Sequence, residues 1–190
     1  RKSPLAALAG GGASAQALAL AWLAQQLGGN GANGGLLEKL HSRFVIHSRS
    51  SRACRRCSRP RSLRAGQQLC AETGGSLLRV ARPPDYNWTE AVVRAVKRGT
   101  VAVCALPPCH WCDGSVVDLD TVGAACREQG VALVVDGTQW IGGADCLEAV
   151  RIGACFVACS VHKWLLGPYG ACLCYAEPSF WRALAGGAAC

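Results

Sequence analysis

With 190 residues, 51% of them apolar, the chain is long enough for one domain with a sizeable buried core. The formal net charge is +8, no apolar run approaches the roughly 18 residues of a membrane-crossing helix, and the amino end lacks the order of a secretory signal. Thirteen cysteines are scattered through apolar runs rather than a loop-rich framework, so they read as reduced thiols of an intracellular, cytoplasmic protein and not as a disulfide scaffold.

Residues 4–27 read as a glycine-rich turn feeding a helix, with Ser14 as N-cap ahead of Leu18, Leu20, Trp22 and Leu23. A helix start offers free N–H groups and a positive dipole end, which suits a phosphate; an ordinary capped core helix carries the same signature. Residues 28–35 form a flexible linker by composition. Residues 43–69 break the pattern and read as an irregular, arginine-rich insert. Its eight arginines, without one acid, equal the whole net charge of the chain. A solvated or aberrant insert and a polyanion-binding patch both fit. Little periodicity accompanies the charge, so nucleic acid is not the expected partner.

From Cys70 the chain turns regular. Residues 75–80 read as a strand, 88–98 as a helix capped near Asn87, and 100–106 as an apolar strand. Residues 118–129 read as a helix with Asp118 as N-cap and Gly130 just past its end. Strand, helix, strand in this rhythm implies βαβ crossovers and an α/β fold with a mostly parallel sheet. Two CxxC pairs, Cys54–Cys57 and Cys109–Cys112, lie too far apart for a zinc site of known spacing.

The stretch from Val131 to Tyr175 carries the chemistry. Val131–Val135 is an apolar, β-branched run bounded by Gly130 and by Asp136-Gly137, which reads as a strand buried on both faces. Asp136 then stands at its carboxyl end, where open α/β sheets place ligands. A second apolar run, Cys155–Cys159, ends in Ser160-Val161-His162-Lys163. Two consecutive strands thus deliver a carboxylate and a lysine to one edge of one sheet. A lysine amine attacks a carbonyl only when neutral, which burial favours, and apolar neighbours such as Trp164 and Leu165 point to a buried Lys163. A buried aspartate needs a cation, and a protonated pyridine nitrogen is one. Lysine as Schiff base and aspartate on the ring nitrogen form the protein side of pyridoxal 5'-phosphate (PLP) catalysis.

Asp136-Gly-Thr-Gln139, followed by Ser160-Val-His-Lys163-Trp-Leu-Leu-Gly-Pro-Tyr-Gly170, resembles the cofactor signature of the class V aminotransferase family. That family includes cysteine desulfurases, selenocysteine lyases and isopenicillin N epimerase-like proteins. The resemblance implies the large domain of a fold-type I PLP-dependent transferase: α/β, three-layer, with a mostly parallel sheet between helices. It implies catalysis by Lys163 on a small-molecule amino acid, by transaminase, desulfurase, lyase or epimerase chemistry. Asp136 would pair with the pyridine nitrogen and Gln139 would bond the phenolic oxygen. Ser160, His162 and Ser14 would hold the phosphate, and Gly167–Gly170 would fix the lysine loop.

Relatives are about twice this length, so the chain is expected to be an incomplete large domain, residues 1–190, without the C-terminal small domain. A homodimer is expected, because relatives build the site between subunits. His41 or His47 is a candidate to stack on the ring, and Leu106–Gly114 a candidate lining of the crevice. Two departures stand out: Trp111 where many relatives carry asparagine, and Cys155 where an aspartate usually precedes the aromatic residue. The nucleophilic cysteine of desulfurases falls beyond Cys190, so no cysteine here inherits that role. The competing expectation is an inactive remnant that binds partners, polyanions among them.

Overall fold

The structure, a computed structural model, describes residues 75–110 and 114–178, the backbone of 43–47, and positions 67, 70 and 71. The helix expected over 4–27 with Ser14, the linker, His41, the Cys54–Cys57 pair and residues 111–113 lie outside the described residues. In chain order the elements are strand β1 (Arg43–His47), strand β2 (Ser76–Val80), helix α1 (Trp88–Val96), strand β3 (Val101–Leu106), helix α2 (Leu119–Gln129), strand β4 (Ala132–Asp136), the short helix α3 (Ala149–Ile152), strand β5 (Ala154–Ser160) and strand β6 (Cys172–Ala176).

Helices α1 and α2 form where their sequences specify caps. The Asn87 side chain accepts from the Glu90 N–H at 3.1 Å and starts α1. Trp88, Val92, Ala95 and Val96, at helical spacing, turn one stripe into the core. Asp118 accepts from the N–H groups of Asp120 and Thr121, satisfying two orphan donors at the start of α2. Gly130 ends that helix in the left-handed region, at φ 62°. α1 packs on α2 and α2 on α3, one helical layer. Fully buried Val92, Val122 and Leu133 sit where layer and sheet meet, each stabilising by about 1.5–3 kcal/mol relative to exposure.

The sheet order is β2-β1-β3-β4-β5-β6. Strands β1 to β5 are parallel and β6 pairs antiparallel with β5. All six residues of β3 are buried. Val134, Phe156 and Ala158, which alternate with the helix-facing Leu133, Val135 and Val157, are buried as well. Central strands closed on both faces explain continuous apolar runs instead of alternation. The second helical layer of a three-layer fold is not among the described residues.

One correction concerns the arginine-rich stretch. Its first five residues are no insert but β1, which runs between β2 and β3 in the sheet. The arginine count along 43–64 masks the short Phe44-Val45-Ile46 run, whose residue types favour a strand. The remainder, 48–66, lies outside the described residues. With β1 in place the chain reverses direction across the sheet: β2 lies on one side of β1, and β3 and all later strands on the other. Ligands of open α/β sheets bind beyond the carboxyl ends at such a reversal.

Candidate active site at the carboxyl edge of the sheet

Register aligns the strand ends. Ile46 pairs with Ala105, Ala105 with Val134, and Val134 with Phe156. His47, Asp136 and Ser160 therefore terminate β1, β4 and β5 at one edge of the sheet.

Asp136 is the last residue of β4, one position later than the apolar run predicts. Its Oδ1 accepts from the Thr138 N–H at 3.1 Å, and the Thr138 hydroxyl draws the pKa of the same carboxylate down. That hydroxyl oxygen in turn accepts from the Ser160 N–H at 3.1 Å, across to the end of β5. The Gly137 N–H donates to the Ala158 carbonyl at 2.8 Å, a second tie between the strands. Burial pushes the Asp136 carboxyl above the ordinary carboxylate range, against the opposing pull of Thr138. Among the described residues no cationic side chain forms an ion pair with it.

Gln139 follows on the same turn. Its Oε1 accepts from the indole N–H of Trp164 at 3.2 Å. An indole N–H only donates, so the contact selects the amide orientation and leaves the Gln139 NH2 to point elsewhere. Gly143 gives the indole its place: a Cβ there would lie 2.8 Å from Trp164 Cδ2.

The lysine loop leaves β5 and closes on itself. The Leu166 N–H donates to the Lys163 carbonyl at 3.2 Å and the Gly167 N–H to the Val161 carbonyl at 2.9 Å. Leu166 adopts φ 54°, uncommon for a leucine. The rings of His162 and Tyr169 stack with centroids 4.6 Å apart. Lys163 itself is exposed, as are Trp164 at 55% and Leu166 at 91%. This corrects the expectation of a buried lysine drawn from its apolar neighbours. The loop satisfies its own backbone groups, so nothing draws those side chains inward.

The structure thus brings Asp136, Gln139, Ser160, His162 and Lys163 to one edge, on two adjacent strand ends. Sequence reasoning missed Thr138 and Trp164. For Thr138 the signal was a hydroxyl two residues after an aspartate, a spacing that closes local side-chain turns. Trp164 had no such signal, because its partner is 25 residues away.

Other candidates resolve into packing. His110, after β3, is buried to 3% and stacks on Trp88. Cys155 donates its S–H to the Leu133 carbonyl at 3.0 Å, and burial pushes its pKa up to about 12. It is a structural thiol, inert as a nucleophile. The described cysteines are unpaired by disulfides, and the described residues hold no cluster of three or more potential metal ligands. No helix among them is long and apolar enough to cross a membrane.

An open, mostly parallel α/β sheet with a carboxylate, an amide and a lysine loop at its carboxyl edge defines a fold of the doubly wound class, in which that edge is where ligands bind. The sequence profile of the family described as aminotransferase class V matches residues 62–188, and the chain belongs to that family. No curated relative matches the sequence. Among solved structures, the apo cysteine desulfurase of Thermococcus onnurineus NA1 is similar at a TM-score of 0.68 and 19% identity, over 90% of this chain and 38% of that one. The ureidoglycine-glyoxylate aminotransferase of Bacillus subtilis follows at a TM-score of 0.60 and 14% identity, over 92% of this chain and 40% of that one. The cystine C-S lyase C-DES, in complex with its product cysteine persulfide, gives a TM-score of 0.61 and 19% identity, over 89% of this chain and 47% of that one. A C-DES mutant carries glycine covalently linked to its PLP cofactor. The chain spans less than half the length of each of these proteins, and at such identities the likeness establishes the fold.

Proposed function

We propose that this chain is the cofactor-binding part of a PLP-dependent enzyme that acts on an amino acid. The observation that carries the reading is Asp136: a half-buried carboxylate whose desolvation raises its pKa, without a cation among the described residues, held one strand away from a lysine-bearing loop. A partly desolvated carboxylate of this kind fits a cationic ring nitrogen better than it fits water.

The residues present suit the cofactor's parts. Asp136 would hold a proton on the pyridine nitrogen. The Gln139 NH2, turned outward by Trp164, would donate to the phenolic oxygen. Ser160 and His162, with Ser14 from outside the described residues, would bind the phosphate. The exposed Lys163 amine can reach a ligand aldehyde without displacing packed side chains, and afterwards would move the proton at the substrate Cα. Bound PLP supplies the electron sink for the charge that develops at that carbon. Transaminase, desulfurase, lyase and epimerase outcomes all use these groups. A second copy of the chain and a small domain would complete the substrate side.

The test is reconstitution with PLP, reduction with borohydride and peptide mapping. The expected result is a reduced label on Lys163 that disappears in Lys163→Ala. A folded chain that takes no label would keep the family's fold without its cofactor chemistry.

A further inference from the structure

The residue between Asp136 and Gln139 that no part of the proposed chemistry uses is Thr138. Its two hydrogen bonds both point to the site: its N–H donates to Asp136 Oδ1 at 3.1 Å, and its hydroxyl oxygen accepts from the Ser160 N–H at 3.1 Å. A hydroxyl has one proton to give, and with the Ser160 amide donating to the oxygen that proton is left for the side of the Asp136 carboxylate, whose pKa the Thr138 side chain draws down.

We infer that Thr138 is the positioning residue of this site: its N–H holds the Asp136 carboxylate and its hydroxyl holds the Ser160 N–H, so that the two strand ends present their groups as one unit. Asp136 and Ser160 lie on different strands, and the backbone tie from Gly137 to Ala158 sets the spacing of the strands but not the direction of the carboxylate. Among the described residues, Thr138 is the one that hydrogen-bonds both. Valine has the same shape, but it would leave the Ser160 N–H without this acceptor and the carboxylate without the hydroxyl that draws its pKa down. The ionisable group on which Asp136 acts from β5 is Cys159, which Cys172 of β6 also influences; among the described residues Thr138 alone hydrogen-bonds the carboxylate, through its N–H. The cofactor half of the inference rests on the function proposed above, whereas the clasp itself does not.

The experiment compares the full chain with Thr138→Val, Thr138→Ser and Thr138→Ala, folding being checked by circular dichroism. Without cofactor, the Asp136 carboxyl is titrated by carbon-detected NMR. The midpoint should rise in Thr138→Val and Thr138→Ala and return to the parent value in Thr138→Ser. With PLP added, visible absorbance should report affinity about threefold to tenfold weaker in the two variants without a hydroxyl, again restored by serine. An unmoved midpoint in either folded variant lacking the hydroxyl overturns the clasp, as does a serine variant that behaves like alanine. Thr138→Ala keeps the test open if Thr138→Val does not fold. A midpoint that moves as expected in a chain that never binds PLP supports the clasp and refutes the cofactor assignment.

Discussion

Asp118 and Asp136 build the same small turn in two places. Each accepts from the backbone N–H two residues on, at 3.0 Å from Asp120 and 3.1 Å from Thr138. Each also has its pKa drawn down by a threonine hydroxyl, Thr121, which bonds Asp118, and Thr138, which acts on Asp136. At the exposed start of α2, the Thr121 hydroxyl and the helix N–H groups hold the Asp118 carboxyl below the ordinary carboxylate range. At the end of β4, burial overrides the same kind of bonds and moves the Asp136 carboxyl upward. Local chemistry is shared, and access to water decides the sign. The first aspartate caps a helix; the second holds an unspent demand for positive charge.

The sign carries into stability. Asp136 binds its proton more tightly in the folded chain, so its contribution falls as pH rises from the ordinary carboxylate pKa through the raised one. At neutral pH, without cofactor, the ionised group is a cost. Asp118 behaves in the opposite way. Its contribution is in place above the unfolded pKa and is lost as pH falls through the lowered folded value.

Substitutions can break or sharpen this contrast. The largest effect is expected from Asp136→Asn. PLP affinity should fall by about 30-fold or more, the scale for losing one partner of a buried charge pair. The cofactor-free variant should melt at a higher temperature than the parent at neutral pH. Absorbance titration and thermal denaturation read the two effects, and a lower melting temperature would contradict the burial cost. Next is Asp118→Ala, which should destabilise the fold by about 1 kcal/mol in urea denaturation and leave PLP uptake per folded molecule unchanged. The deficit should shrink as pH drops below the carboxylate range. Trp164→Phe keeps a ring over Gly143 but releases the Gln139 amide. PLP should bind about twofold to fivefold more weakly, with the melting temperature unmoved. The smallest effect is expected from Thr121→Val, the exposed counterpart of Thr138→Val. It should cost no more than about 0.5 kcal/mol, because water replaces the lost hydroxyl. A larger loss there than at Thr138 would remove the distinction between the two turns.

Much of this molecule is determined locally, and such parts are legible in one sequence. The caps of α2 at Asp118 and Gly130, the Asn87 cap of α1 and the buried runs of β3, β4 and β5 all follow from residue types at fixed spacing, because helix ends and buried strands satisfy themselves with near neighbours in the chain. The Asp136-Gly-Thr-Gln139 and Ser160-Val-His-Lys163 motifs were also expected at one edge of the sheet, where the structure has them. β1 was hidden because its three apolar residues sit at the head of a run of arginines, and its partners β2 and β3 lie about 30 and 60 residues further along the chain.

Only the tertiary structure decided how the two motifs meet. The Thr138 hydroxyl on the Ser160 N–H, and the Trp164 indole on Gln139, join residues 22 and 25 positions apart. No periodicity encodes such pairs, because they depend on the register between β4 and β5. The exposure of Lys163 was decided at the same level. Its apolar neighbours suggested burial, but a loop that satisfies its own backbone hydrogen bonds is free to carry its side chains outward. The sequence by itself determined which groups stand at the strand ends, since local spacing settles that. Packing determined which of them touch one another and which face water, since both depend on neighbours that the chain brings back from far away.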